Sequence, residues 1–262
     1  MLYSLIQQFK TLRPLLLLFV VLTTGCASDA VDAAAEGYAG RPDVQQFIAE
    51  MAEEGFDPEE LNALFADAKY QQSIVDAISR PAERVLTWAS YQDIFLNERR
   101  VQAGADFIKA HQSTFQRAEA EYGVPTEVVA AIIGVETLYG RITGKYRVID
   151  SLSTLAFDYP PRSKFFRSEL KQFLLLAREE QQSPLKPLGS YAGAMGYGQF
   201  ISSSYRHYAV DFDGDGVRDI WNNPVDAIGS VANYLAEHGW QRGGGITVPV
   251  TLAGAEPTDV FN

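Results

Sequence analysis

Cysteine is nearly absent: the 262-residue chain has one, Cys26. An intrachain disulfide is therefore impossible in any compartment, and the fold must rest on a packed core. Three histidines, His111, His207 and His238, are scattered and suggest neither a metal centre nor a nucleophilic site. Positive charge is scarce. Lys and Arg number 22 against 33 Asp and Glu, for a formal charge of −11 without a polybasic run, which argues against a nucleic-acid partner. No apolar run reaches the length of an ordinary membrane-spanning helix. Strand-like alternation is rare, and Ile246–Leu252 is its one clear case. There are no internal repeats.

What is present is a core-forming composition, with 47% hydrophobic residues, and helical periodicity. Asp43–Ala52 is amphipathic. Asp57, Pro58 and Glu59 supply the cap, first position and acidic first turn of a helix that buries Leu61, Leu64 and Phe65. Gln72–Ser79 predicts a short helix stopped by Pro81. Glu98–Tyr122 predicts one long helix with Val101, Ala105, Ile108 and Phe115 as its apolar positions. Residues 163–180 predict a helix capped by Ser163, with Phe165, Phe166, Leu170, Phe173 and Leu174 apolar. Asp226–His238 predicts another, ended by Gly239. The fold class is mainly α with few short strands.

The stretch Gly134–Gly140 places Glu136 at the end of an apolar run. Pro125 suits the first turn of that helix. Apolar residues then recur at Val128, Ala131, Ile132, Val135 and Leu138 or Tyr139, the spacing of one buried face. Glu136 lies one turn beyond Ile132, on the flank of that face. A carboxylate there loses water, which raises its pKa towards the range a general acid needs. The alternative is a solvated glutamate on a polar edge. A second stretch, Ser190–Phe200, interleaves Gly193, Gly196 and Gly198 with tyrosines. Such glycines permit close approach of a ligand to backbone. Ser190 and Gln199 add hydrogen-bonding groups, and the aromatic rings offer flat faces for sugars. A tight helix crossing would use the same small residues.

Asp211, Asp213 and Asp215 occupy positions one, three and five of an EF-hand-like calcium loop. Gly216 stands at six and Val217 can offer its carbonyl at seven, but position twelve is Asn222 instead of glutamate. A metal-free Asp/Gly turn is the alternative. At the N-terminus, Lys10 and Arg13 precede the short apolar stretch Pro14–Leu22, a pattern of secretory signals. Thr23-Thr24-Gly25-Cys26 resembles a bacterial lipoprotein cleavage site, with Thr23 where a large aliphatic residue is usual. Residues 1–25 are thus expected to be a signal peptide and Cys26 an acylated anchor. Ala27 then directs the chain to outer-membrane lipid, facing the periplasm. Residues 26–40, rich in Ala, Asp and Gly, predict a flexible tether.

Taken in order, these motifs resemble the lytic murein transglycosylases of the membrane-bound B type. The resemblance rests on Gly134–Gly140, on Ala192–Phe200, on Asp211–Gly216 with Trp221–Asp226, and on Ala227–Tyr234. It implies a lysozyme-like helical core over residues 41–262. Similar proteins continue for several more helices, so the chain is expected to be C-terminally incomplete. The resemblance implies that Glu136 alone is the catalytic acid and base. It would protonate the linkage oxygen between N-acetylmuramic acid and N-acetylglucosamine. It would then deprotonate the muramic C6 hydroxyl, which closes a 1,6-anhydro ring without consuming water. Tyr91, Arg162, Ser190, Gln199, Phe200 and Tyr234 match family substrate-binding positions. Arg162 would meet lactyl or peptide carboxylates, and Tyr91 and Tyr234 the glycan. The family's two adjacent arginines are reduced here to Arg162 after Tyr159-Pro160-Pro161. Asp226 matches the aspartate that closes the calcium site. The ion would be structural, and no organic cofactor is implied.

The expected partners are peptidoglycan strands and the membrane lipid. Two rival functions stay open. A hydrolytic muramidase would need a second carboxylate facing Glu136 across the cleft, and Asp150 and Asp158 are the candidates if folding brings them close. A non-catalytic peptidoglycan-binding lipoprotein would tolerate loss of Glu136.

Overall fold

Proline and capping side chains mark several helix starts through local chemistry alone. The computed structural model describes residues 37–80 and 87–247. Helices α1 (Pro42–Glu53) and α2 (Pro58–Asp67) each begin with proline at the first position, where its missing N–H costs nothing. Asp57 caps α2 by accepting the Glu59 N–H at 2.8 Å. There follow α3 (Gln72–Ser79), α4 (Trp88–Phe95), α5 (Glu98–Ala110), α6 (Gln112–Tyr122) and α7 (Thr126–Thr137). Strand β1 (Tyr146–Arg147) leads into α8 (Val148–Asp158), a 3₁₀ turn (Pro160–Arg162) and α9 (Ser163–Glu179). Strand β2 (Leu188–Gly189), α10 (Ser202–Tyr208) and α11 (Pro224–Glu237) complete the described order. The strands pair antiparallel, Tyr146 opposite Gly189 and Arg147 opposite Leu188. Two-residue strands are too short to leave an alternation in sequence. Most of the expected strand Ile246–Leu252 lies outside the described residues, as do residues 1–36 with the expected signal peptide and Cys26.

Helix α8 is central. Every residue from Val148 to Ala156 is buried, as expected of a helix covered on all sides. Two of its small polar residues find partners, Ser151 donating to the Ser190 carbonyl at 3.2 Å and Thr154 accepting the Gln71 N–H at 3.2 Å, whereas the buried Ser153 hydroxyl has none among the described residues. Phe166, Leu170, Phe173 and Leu174 of α9 are buried in the same core. Phe47, Phe65 and Phe157 meet edge to face at 5.8–6.2 Å. Tyr38 joins them, 2% exposed, with its hydroxyl donating to Asp158 at 2.7 Å. Tyr38, which lies within the expected tether, therefore belongs to the packed core.

Two further expectations are corrected. The single helix over Glu98–Tyr122 is broken at His111, whose φ of −119° and ψ of 28° leave the helical region. The break lets Phe107 and Phe115 both turn inward and meet edge to face at 5.8 Å. The inward face of α5 is Ala103, Gly104 and Phe107, while Val101 is 64% exposed. Gly104 sits where any Cβ would overlap the Tyr139 ring, so this crossing demands a small residue. Helix α7 starts after Pro125, which is extended at φ −57° and ψ 142°. Its buried residues are Val129, Ala130, Ile133, Gly134 and Thr137, while Val135 is 47% exposed. That rotation leaves Ile132 and Glu136 on a different face.

Candidate active site

The face of α7 that carries Ile132 and Glu136 forms one wall of a cleft of about 330 Å³. Gly198, Gln199, Phe200 and Ile201 form a second wall, Ser204 of α10 adds to it, and Val231, Tyr234 and Leu235 of α11 close the third. Glu136 is accessible from the open side, yet it stands among Ile132, Phe200, Val231 and Leu235. Desolvation raises its pKa above the ordinary glutamate value. Among the described residues no donor bonds to its carboxylate, and no other carboxylate lines the cleft. The two candidate partners are engaged elsewhere. Asp150, 4% exposed, accepts the Lys69 N–H at 2.9 Å and pairs with Arg147 at 2.8 Å. Asp158 accepts from Tyr38 and pairs with Arg41 at 2.7 Å. Both serve the core packing.

A sharp reversal after Glu136 fixes its position. Leu138 and Tyr139 take positive φ of 51° and 58°. Their N–H groups return to Gly134 at 3.1 Å and Ile133 at 3.3 Å, which satisfies the last turn. The Thr137 hydroxyl lies 3.1 Å from the Ile133 carbonyl and 2.9 Å from the Tyr197 carbonyl, and accepts the Gly140 N–H at 3.0 Å. This ties α7 to the glycine-rich loop. Within that loop Met195 and Phe200 exchange both backbone hydrogen bonds at 2.9 Å. The bridge throws Gln199 into a left-handed conformation at φ 50°. Its amide nitrogen donates to the carbonyls of Thr143 at 3.2 Å and Gly196 at 3.0 Å. A Cβ on Gly198 would stand 2.7 Å from the Phe200 ring and 2.8 Å from Val231, so glycine is needed to keep this wall thin.

The fold thus gathers Glu136, Gln199, Phe200 and Tyr234 around one cleft. The Tyr234 ring lies edge-on to Phe200 at 5.7 Å and stacks on His238 at 4.0 Å. Ser190 starts the same loop, but its hydroxyl accepts the N–H groups of Ala192 at 3.2 Å and Ala194 at 3.0 Å. It holds the turn. Tyr91 and Arg162 are not walls of this cleft. Tyr91 lies in α4 with its ring 5.3 Å from Phe95. The Arg162 guanidinium covers Phe165 and Phe166 at 4.5 and 5.0 Å. Sequence reasoning missed Ser204, Val231 and Leu235. Val231, Tyr234 and Leu235 carry a usable signal, spaced three and four apart on one helix face.

The acidic loop forms a second cluster. Asp211, Asp213 and Asp226 each bring a carboxylate oxygen within 4.8 Å of the others. Asp226 is wholly buried near the start of α11 and accepts the N–H groups of Phe212 at 2.7 Å and Asp219 at 2.9 Å. Desolvation raises its pKa, against the lowering effect of those two bonds. Asp211 is held below the ordinary value, chiefly by the Gly216 N–H at 2.7 Å. Asp215 stands outside the cluster and accepts the Val217 N–H at 2.9 Å. Three converging anionic oxygens, one with no access to water, suit a hard cation such as Ca²⁺ better than a soft metal.

The profile of the family described as "Transglycosylase SLT domain" matches residues 39–261. The chain is 45% identical over 221 residues to membrane-bound lytic murein transglycosylase B of Escherichia coli K12, across 80% of this chain and 61% of that protein. It therefore spans less than two thirds of that relative's length. Soluble lytic transglycosylase SltB1 of Pseudomonas aeruginosa is 58% identical, with a TM-score of 0.77 over 78% of this chain and 69% of the other. The Escherichia coli lytic transglycosylase Slt35, solved in complex with calcium, is 44% identical, with a TM-score of 0.75 over 84% and 70%.

Proposed function

The chain belongs to the transglycosylase SLT-domain family, and from that premise we propose that it is a peptidoglycan lytic transglycosylase with Glu136 as its single acid and base. The observation that carries this reading is a lone carboxylate, partly desolvated and without protein donors, in a cleft with no second carboxylate among the described residues. A raised pKa keeps the proton available for the linkage oxygen between N-acetylmuramic acid and N-acetylglucosamine. Departure of that oxygen takes the Glu136 proton and leaves a carboxylate. The carboxylate then removes the proton of the muramic C6 hydroxyl as its oxygen bonds to C1. The acid is regenerated and a 1,6-anhydro sugar is left. An inverting hydrolase would need a second carboxylate to activate water, and neither Asp150 nor Asp158 is free to do so. Gln199, Phe200 and Tyr234 would hold the glycan beside Glu136, with Ser190 shaping the loop. Tyr91 and Arg162 would contact more distant parts of the polymer.

We further propose that Asp211, Asp213 and Asp226 hold a structural Ca²⁺, with the Val217 carbonyl and Asp215 contributing to the loop. Their clustered oxygens and the calcium complex of the relative Slt35 support this. When bound, the ion would neutralise the cluster and pin the start of α11, the helix that supplies Tyr234 to the cleft. Among the described residues no helix is long and apolar enough to cross a membrane. The Escherichia coli relative is named membrane-bound, and acylation of Cys26 would give this chain an outer-membrane anchor.

The test is to incubate the protein with purified peptidoglycan and weigh the released muropeptides. Products ending in 1,6-anhydro-muramic acid, lighter by one water than reducing-end products and missing with Glu136→Gln, are expected. Reducing-end products would mean hydrolysis. No release from folded protein would favour a binding role.

A further inference from the structure

The polar groups around Glu136 are not interchangeable. Gln199 directs its amide nitrogen at two carbonyls, those of Thr143 and Gly196. Both partners are acceptors, so hydrogen-bond chemistry assigns the nitrogen to that side. With both N–H bonds used, Gln199 offers a ligand only Oε1, an acceptor. Ser204 is different. It lines the same cleft, and among the described residues its hydroxyl has no hydrogen-bond partner. A hydroxyl can donate. The turn that carries it is held, because the neighbouring Ser203 N–H is accepted by the buried Glu169 carboxylate at 2.9 Å.

We propose that Ser204 is a substrate-specificity residue that reads an acetamido group. Its hydroxyl donates to the acetamido carbonyl of the same sugar whose acetamido N–H is accepted by Gln199 Oε1. This rests on the reading of the cleft as a murein site. Of the substituents on murein sugar rings, the acetamido group presents a donor and an acceptor on one planar unit, which fits an acceptor–donor pair. A free amine satisfies Gln199 but leaves the Ser204 hydroxyl without its carbonyl. A site built to hydrogen-bond a group discriminates against ligands that lack it.

The test uses the full chain carrying Glu136→Gln, so that ligand is bound and not turned over. Dissociation constants are measured by calorimetry for a GlcNAc–MurNAc tetrasaccharide and for its de-N-acetylated counterpart. Adding Ser204→Ala should weaken binding of the first by roughly fivefold to tenfold, the range of one neutral hydrogen bond, and of the second by less than about twofold. Ser204→Thr should retain the preference and Ser204→Val, which is isosteric with the threonine variant but lacks the hydroxyl, should lose it, which carries the test if the alanine variant fails to fold. Tyr234→Phe should affect both ligands alike. Equal losses with Ser204→Ala on both ligands, no loss on either, or an acetamido-dependent loss that follows Tyr234→Phe instead would overturn the role of Ser204. Failure of the Glu136→Gln protein to bind either sugar would overturn the murein reading as well.

Discussion

Glu136 and Asp226 are both pushed above the ordinary carboxylate range by loss of water, yet the structure uses them in opposite ways. Asp226 is fully buried, accepts two backbone N–H groups, and lies beside Asp211 and Asp213. Its oxygens are committed to holding the acidic loop against α11. Glu136 stands at an open cleft among apolar walls, with no protein donor among the described residues. The same physical cause, desolvation, therefore accompanies an anchor where donors converge and, in the role proposed for Glu136, a proton source where none do. A raised pKa alone does not mark a catalytic acid, and the surrounding donors decide.

The largest expected effect breaks the comparison at Glu136. Glu136→Gln should lower anhydro-product formation by about 10²- to 10⁴-fold with no loss of melting temperature, as measured by mass spectrometry and calorimetry on one preparation. Asp226→Ala should do the reverse. It strips two buried N–H groups of their acceptor and should cost about 2–4 kcal/mol of stability, read from the denaturant midpoint. Any loss of activity should track unfolding. Gly198→Ala should cost about 1–3 kcal/mol through overpacking against Phe200 and Val231, and should lower turnover of the folded fraction by narrowing the cleft. Asp213 is exposed, so Asp213→Asn should leave calcium-free stability within about 1 kcal/mol of wild type. Millimolar Ca²⁺ should raise the melting temperature of the wild type, and Asp213→Asn should abolish that rise, measured against a chelator control.

The smallest expected effect is electrostatic. Folding raises the Glu136 pKa, so the native state holds that proton more tightly than the unfolded chain. The stability this contributes is present below the unfolded glutamate value, about 4.3, and is lost as pH rises through the raised native value. The melting temperature of Glu136→Gln should therefore gain on wild type across that window and converge with it at lower pH.

Much of this arrangement was legible in the sequence for local reasons. Asp57 and Pro58 start α2 where capping chemistry puts it. The family motifs led to Glu136, Gln199, Phe200 and Tyr234, which share one cleft. The face of α7 was not legible, because Val128 to Ile133 is apolar without interruption and periodicity cannot choose a side. The break at His111 carries no proline or glycine to announce it. It is set by the burial of Phe107 and Phe115 in one core. Ser204 stands third in a run of three serines, and only the helix phase of α10 decides which one faces the cleft. The EF-hand spacing pointed to Asp211, Asp213 and Asp215 and the family resemblance to Asp226, and loop closure brings the oxygens of Asp211, Asp213 and Asp226 together.

The most direct test of the lone-acid account is a carboxyl NMR titration of ¹³C-glutamate-labelled protein, with Glu136→Gln as the subtraction that assigns the signal. The account predicts that the missing resonance titrates above the ordinary glutamate range. A Glu136 that titrates at or below that range would contradict it, since the cleft would then hold a solvated carboxylate and not a proton donor.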